Sequence, residues 1–120
     1  MILVDTSVWI DHFHRPDTAL TRLLDSGSVR MHSAIVGELA MGNLTDRQSV
    51  LADLQTLSHG VVADPTEVLH LVETHHLHGR GIGYVDAQLL ASAILSADVF
   101  WTRDKRVLAV TDALGVTFTR

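Results

Sequence analysis

Four acidic residues of this sequence occupy positions where an isolated charge is unfavourable. Asp5 and Asp104 lie at or just beyond the carboxyl ends of the two most apolar predicted strands. Glu38 and Asp86 fall on predicted helices among apolar neighbours. An ionised carboxylate on a buried face is destabilising unless it is paired, hydrogen-bonded or bound to a metal. The four acids therefore require a common explanation.

Helical spacing predicts that Glu38 and Asp86 point inward, because residues three and four positions apart share one face of a helix. The neighbours of Glu38 at that spacing are Ala34, Ile35, Met41 and Gly42, and those of Asp86 at three, four and seven residues are Leu89, Leu90 and Ala93. Neither acid has a basic residue on its own predicted helix. Arg103, Lys105 and Arg106 form the only basic cluster.

Divalent cations explain the four acids together. Hard oxygen ligands select Mg²⁺ or Mn²⁺, and two such ions held about 4 Å apart are typical of phosphodiester cleavage. Each acid taken singly has another interpretation. Asp5, Asp86 and Asp104 could cap helices, and Glu38 could be satisfied by backbone groups or by a distant arginine.

Composition limits the class of protein. The chain has 120 residues, 47% apolar and 19% charged, which predicts one folded domain over residues 1–120. It has no cysteine, which excludes thiolate metal sites and favours a cytoplasmic location, and its longest apolar stretch, 89–95, is too short to cross a membrane. The net charge of −5 argues against a non-specific nucleic-acid coat protein. Bound divalent cations would remove much of that objection.

Short apolar runs alternate with helical patterns along the chain. The predicted strands are 1–4, 29–31, 61–62, 98–102 and 116–119, and the predicted helices begin near residues 6, 17, 34, 46, 65, 85 and 104. Three glycines in residues 78–83 predict a loop. This alternation predicts an α/β sandwich with a mostly parallel sheet, whose ligand site lies at the carboxyl ends of the strands.

The segments around the four acids resemble motifs of the PIN-domain family, and specifically of its VapC-type ribonuclease toxins from prokaryotic toxin–antitoxin pairs. The matching segments are residues 4–11 (VDTSVWID), 33–39 (SAIVGEL), 82–93 (IGYVDAQLLASA) and 101–106 (WTRDKR). They extend over almost the whole chain, each with its acid in place. The chain is thereby identified as a member of that group.

The resemblance implies a PIN-like three-layer α/β/α sandwich that cleaves RNA with one or two Mg²⁺ or Mn²⁺ ions. The residues that correspond to its metal-binding catalytic quartet are Asp5, Glu38, Asp86 and Asp104. Thr102 corresponds to a hydroxyl that supports the quartet, and Thr6 is a second candidate for that role. The family further implies a homodimer and a VapB-like antitoxin as partners.

Four basic residues are candidates for contacts with RNA phosphates: Arg80, Arg103, Lys105 and Arg106. The histidines at 75, 76 and 78 lack the spacing of a zinc-binding helix. A haloacid-dehalogenase-type phosphotransferase would need a second Asp at position 7, which is Ser. The alternative function is a catalytically silent PIN-like domain that binds RNA or a protein partner.

Overall fold

The computed structural model describes residues 1–119; Arg120, the last residue of the predicted domain, lies outside them. Within that range the chain forms four strands and seven helices. The strands are β1 (Ile2–Val4), β2 (Val29–Met31), β3 (Ser58–His59) and β4 (Val99–Trp101). The helices are α1 (Thr6–His14), α2 (Thr18–Asp25), α3 (Ser33–Ala40), α4 (Arg47–Thr56), α5 (Pro65–His75), α6 (Tyr84–Leu95) and α7 (Lys105–Leu114).

The four strands form one parallel sheet in the order β3-β2-β1-β4. Val4 at the end of β1 pairs with Trp101 at the end of β4, so these two strands end at the same level. The chain first runs from β1 outward to β3 and then returns to the far side of β1. The point between β1 and β4 is therefore the topological switch point, where open α/β sheets bind ligands.

Right-handed crossovers place the helices on both faces of this sheet. Helices α1 to α4 connect β1, β2 and β3 on one face, and α5 and α6 connect β3 to β4 on the other. Consistent with this arrangement, α1 packs on α3 and α5 packs on α6. The predicted α/β/α sandwich with a parallel central sheet is confirmed.

Capping residues fix where several helices begin, as their sequence patterns predict. Asp64 and Glu67 form a reciprocal capping box at the start of α5, with Pro65 in its first turn. Asp104 accepts backbone N–H groups at the start of α7, and Gly115, at φ 71°, ends that helix in the left-handed conformation. For α3 the cap is His32 rather than Ser33, because the His32 ring accepts the Ala34 N–H.

Two predicted strands are wrong. The edge strand β3 lies at Ser58–His59, and residues 61–62 follow it as exposed, irregular chain. Residues 116–119 contribute one isolated bridge, between Thr117 and Phe100, instead of a strand. Both segments lie at the margins of the sheet, where an apolar run can pack without a ladder of hydrogen bonds.

The core contains one buried ion pair. Asp98, whose side chain is 1% exposed, accepts two hydrogen bonds from Arg30, and Arg30 also donates to Ser58 on the edge strand. Because an unpaired charge in this position would be strongly destabilising, the pair fixes β2 against the entry to β4. Among residues 1–119, no helix has the length and apolarity needed to span a membrane.

Candidate active site at the carboxyl edge of the sheet

The carboxyl ends of β1 and β4 bring two predicted site residues together from opposite ends of the chain. Asp5 follows β1 directly, and its backbone N–H donates to the carbonyl of Trp101 at 2.8 Å. Thr102 follows β4 in the same way. Asp104 comes two residues later and begins α7. Parallel pairing of β1 with β4 therefore places Asp5 beside Thr102 and Asp104.

Asp5 is 6% exposed, and both of its carboxylate oxygens accept hydrogen bonds. Oδ1 accepts from the Thr6 backbone N–H at 2.9 Å. Oδ2 accepts from the hydroxyls of Ser7 at 2.9 Å and Thr102 at 2.8 Å. These dipoles compensate for the burial of the charge without a basic partner, since a carboxylate is strongly stabilised by such donors.

Asp86 is half-buried in the first turn of α6, and its Oδ2 accepts the Gly83 backbone N–H at 2.9 Å. Burial raises the pKa of the Asp86 carboxyl, and the negative charges of Asp5 and Asp104 raise it further, against the opposing effect of the Gly83 hydrogen bond. The two like charges can act on Asp86 only if the three carboxylates lie within electrostatic range. The structure thus brings the third acid to the β1 and β4 edge.

Asp104 is exposed, and one of its oxygens caps α7. Its Oδ1 accepts the backbone N–H groups of Arg106 at 2.8 Å and Val107 at 3.2 Å. Its own backbone N–H donates to the Thr102 hydroxyl at 3.1 Å, the same hydroxyl that donates to Asp5. Capping fixes the Asp104 side chain through Oδ1. Thr102 links this acid to Asp5.

Glu38 is exposed, so the prediction that it points into the core is wrong. The buried side of α3 is formed by Ile35 and Leu39, four residues apart, and Met41, counted as an apolar neighbour of Glu38, is 89% exposed. Glu38 Oε1 instead accepts the Thr6 hydroxyl at 2.7 Å. Since Thr6 is adjacent to Asp5, this bond places Glu38 at the same edge of the sheet as the other three acids.

The donor chemistry of this site fits a hard divalent cation. Within residues 1–119 no Lys, Arg or His forms an ion pair with Asp5, Glu38, Asp86 or Asp104. The like charges around Asp86 are therefore not neutralised by protein groups. In the same part of the chain, no three His, Cys, Asp or Glu side chains converge closely enough to form a metal cage. Hydrogen bonds of Thr6 and Thr102 link Glu38, Asp5 and Asp104 along the edge, whereas Asp86 is hydrogen-bonded to Gly83, and the four acids do not form a closed cluster.

The four predicted phosphate contacts fall into two groups. Arg80, Lys105 and Arg106 are exposed, and the Arg106 side chain lies so close to Gly81 that a Cβ there would be 2.9 Å from Arg106 Cδ. This contact, beside a glycine at φ 79°, brings α7 against the loop that carries Arg80. The guanidinium of Arg103 is different, because it is paired with two carboxylates.

Arg103 connects three elements around the site. It donates to Asp11 Oδ2 at 2.5 Å and to Asp17 Oδ2 at 2.7 Å, and its backbone N–H donates to the Ser7 hydroxyl at 3.1 Å. Ser7 donates in turn to Asp5. The sequence interpretation missed Ser7, Asp11 and Asp17. Only the position of Ser7, two residues after Asp5, offered a signal.

Comparisons with known proteins agree with this geometry. A PIN domain family profile matches residues 2–113. The chain is 44% identical over 117 residues to Ribonuclease VapC32 of Mycobacterium tuberculosis strains CDC 1551 and H37Rv, covering 97% of this chain and 94% of that protein. The crystal structure of PAE2754 from Pyrobaculum aerophilum is similar in fold, with a TM-score of 0.55 at 18% identity, covering 90% of this chain and 77% of the other.

Proposed function

Because the chain belongs to the PIN-domain family, and within it to the VapC type, we propose that it is a divalent-metal-dependent endoribonuclease and the toxin of a toxin–antitoxin pair. The resemblance predicted from the four acidic segments is confirmed at the level of the family. The M. tuberculosis relatives are named as ribonucleases, and for this chain ribonuclease activity is the proposal. The proposal treats residues 1–120 as a single PIN-like domain.

One observation carries this proposal: unneutralised like charges meet at the switch point of the sheet. Burial and the charges of Asp5 and Asp104 raise the pKa of Asp86, and no basic side chain within residues 1–119 pairs with any of these three acids. Unneutralised carboxylates of this kind favour a bound cation, and a divalent ion would offset the negative charge that opposes binding of a polyanion.

The chain's own residues hold the acids in place for such an ion. Asp5 is the proposed central ligand, because the end of a strand is a stiff position and three hydrogen bonds fix its carboxylate. Glu38 and Asp86 are proposed to hold one ion with Asp5, and Asp104 to complete a second site. Mg²⁺ or Mn²⁺ held by these acids would supply charge stabilisation at a phosphate and would lower the pKa of a water molecule.

Hydroxyl groups position these acids. Thr102 and Ser7 donate hydrogen bonds to the Asp5 carboxylate, and Thr6 donates one to the Glu38 carboxylate. Each of these hydroxyls therefore fixes the orientation of the acid that it contacts. Hydrogen-bond donors that do not contact the metal commonly orient the metal ligands in this way. The expected products carry a 5′ phosphate and a 3′ hydroxyl.

Phosphates that flank the cleaved bond are proposed to contact Arg80, Lys105 and Arg106. These residues are exposed beside Asp104 and in the loop of residues 78–83, the glycine loop. Arg103 is the weakest candidate for this role. Its two ion pairs with Asp11 and Asp17 would have to break before it could bind a phosphate. We assign its side chain mainly to holding α1 and α2 against the β4–α7 junction.

The remaining family expectations are proposed for this chain as well: a VapB-like antitoxin, a homodimer and a cytoplasmic location. The surface between α5 and α6 is the candidate dimer face, because it carries exposed large apolar side chains. Leu69 is 58% exposed, Ile94 40% and Leu95 45%. Exposed apolar patches of this kind mark interaction surfaces.

Cleavage of structured RNAs with and without Mg²⁺ tests the proposed function. We expect the parent to cut RNA, EDTA to abolish cutting, and Asp5→Asn and Glu38→Gln each to reduce it by about 100-fold or more. Asp25→Asn and Glu73→Gln are matched controls, because within residues 1–119 their carboxylates have no hydrogen bond or ion pair.

Equal activity in the parent and in both site variants would reject the catalytic assignment. Retention of RNA by the parent without any cleavage would instead favour the alternative, a catalytically silent domain that binds RNA. If the parent binds neither RNA nor metal, a protein partner remains as the ligand of the edge that carries the four acids.

A further inference from the structure

A cavity of about 320 Å³ lies between α1 and the segment that joins α3 to α4. Ile10 and Phe13 of α1 form one wall, and Asn43 and Thr45 of the connecting segment contribute to the other. Buried Leu39 also lines it. The volume is sufficient for one planar heterocycle with its sugar.

The cavity is continuous with the candidate active site through one side chain. Glu38 lines the cavity and also accepts the Thr6 hydroxyl at 2.7 Å, next to Asp5. The mouth of the cavity and the edge that carries the four acids therefore share Glu38.

The charge of the lining disfavours a phosphate. No Lys or Arg lines the cavity, His14 is its one basic residue, and the Glu38 carboxyl group lies at its edge. The exposed parts of Ile10 and Phe13 are apolar, whereas Asn43 and Thr45 offer an amide and a hydroxyl. This combination fits an uncharged flat group with hydrogen-bonding edges, which in an RNA is the base.

The polar groups of the lining are available to a ligand. Within the described chain neither the Asn43 amide nor the Thr45 hydroxyl has a hydrogen-bond partner. Their segment is held in place from outside, because Arg47 donates to the carbonyl oxygens of Gly42 and Ala40. The cavity is thus built before any ligand binds, which lowers the entropic cost of binding.

Phe13 provides a fixed aromatic surface. Its ring contacts those of Trp9 and His12, with centroids 5.9 Å and 6.1 Å away, and the residue is still 38% exposed. Aromatic side chains of this kind stack on the bases of single-stranded RNA. The cationic residues Arg80 and Arg106 lie instead with the glycine loop and α7, away from the α3 side of the site.

We propose that this cavity binds one base of the RNA adjacent to the cleaved bond and sets the sequence preference of cleavage. This inference rests on the proposed ribonuclease function and deepens it: the substrate is an unpaired RNA segment with its base turned out of the stack. Phe13 stacks on the base, and Asn43 and Thr45 contact its edge.

Mapping the cut sites in a random RNA library tests the proposal. We expect the parent to prefer one base at a position next to the cut. Phe13→Leu, which keeps an apolar side chain but removes the ring, and Asn43→Ala should each weaken that preference about tenfold, or ~1.4 kcal/mol. Gln48→Ala, which removes an exposed amide outside the cavity, should leave the preference unchanged.

A binding measurement that needs no turnover separates this inference from the proposed function. Nucleosides, which carry no phosphate, should shift the amide NMR signals of Phe13, Asn43 and Thr45 and not that of Gln48 when they are added to the metal-free parent. If the parent binds nucleosides here but cuts no RNA, the ribonuclease proposal fails and the base site stands.

Three results would overturn the base site. The first is that the parent cleaves RNA without any base preference. The second is that both cavity variants keep the preference of the parent. The third is that these variants bind a protein partner more weakly while their RNA preference stays intact. The last result would assign the cavity to an apolar side chain of that partner.

Discussion

The hydroxyl of Thr102 donates a hydrogen bond to Oδ2 of Asp5 at 2.8 Å, across 97 positions of the sequence. Both residues are buried, and each directly follows one of two paired strands. Because the same hydroxyl accepts the Asp104 N–H, it fixes two of the four acids at once.

Thr102→Val should therefore reduce RNA cleavage about 10- to 100-fold, because the variant keeps the shape of the side chain but leaves Asp5 without one donor. Thr102→Ser keeps the hydroxyl and should retain most of the activity. Initial cleavage rates and thermal unfolding of the three proteins provide the test. A Val variant as active as the parent would show that this hydroxyl does not position the site.

The basic residues can be separated by the salt dependence of RNA binding, measured in the Asp5→Asn background so that the RNA stays intact. Arg80→Gln and Arg106→Gln should each lower the slope of log K against log salt by about 0.7, the value for one contact with single-stranded RNA. Arg103→Gln should leave the slope unchanged, because Asp11 and Asp17 already neutralise this guanidinium.

The Arg103 variant should instead lower the free energy of unfolding by about 1 kcal/mol, since its ion pairs are partly exposed and screened by solvent. A reduced salt slope for Arg103→Gln would show that the arginine leaves its carboxylates to bind phosphate.

His32 is neutral in the folded protein for a geometric reason. Its Nδ1 accepts the Ala34 N–H at 2.9 Å, and Ser92 donates its hydroxyl hydrogen to Gln88, so Nε2 must donate to Ser92. A second proton on the ring would sit on Nδ1, where it would point at the hydrogen of the Ala34 N–H and break this hydrogen bond. Burial lowers the pKa of His32 below 6.5, and the charge of protonated His59 lowers it further.

Stability should therefore fall in acid. Below about pH 6.5 the unfolded chain binds a proton at His32 that the folded protein does not bind, so the free energy of unfolding decreases with falling pH, whereas above that pH the effect is absent. His32→Gln should show a smaller loss between pH 7.5 and pH 5.5 in urea unfolding. His78→Gln, an exposed control, should behave as the parent does, and equal losses in all three proteins would contradict the assignment.

Leu95→Glu tests the candidate dimer face. A charge in the centre of the exposed apolar surface of α6 should convert a dimer to a monomer at micromolar concentration in sedimentation velocity. Met41→Glu replaces an exposed apolar residue directly after α3 and should leave the dimer unchanged. A monomeric parent would remove the dimer from the proposal.

Local sequence patterns predicted most of the fold, because caps, prolines and glycines act within a few residues of where they stand. Asp64, Pro65 and Glu67 defined the start of α5, and Gly115 the end of α7. The strand at Ser58–His59 had no apolar pattern to reveal it. It forms because the edge of β2 offers unpaired backbone groups, a property of the assembled sheet.

The acids of the candidate site were identified by their positions, but their surroundings were not. The inward orientation expected for Glu38 failed because Ile35 and Leu39 occupy the core face of α3. The pairing of Arg103 with Asp11 and Asp17 spans 86 to 92 positions, a separation at which no spacing rule applies.

The placement of β4 beside β1 also has a consequence for protein synthesis. Asp5 and Glu38 leave the ribosome before Thr102 and Asp104, and Thr102 follows Asp5 by 97 positions. A nascent chain with three of its four strands has no partner for the outer edge of β1 and lacks half of the acid-bearing junction. The edge therefore closes only after β4 has been made, so the acids of a shorter nascent chain are not assembled into the complete site.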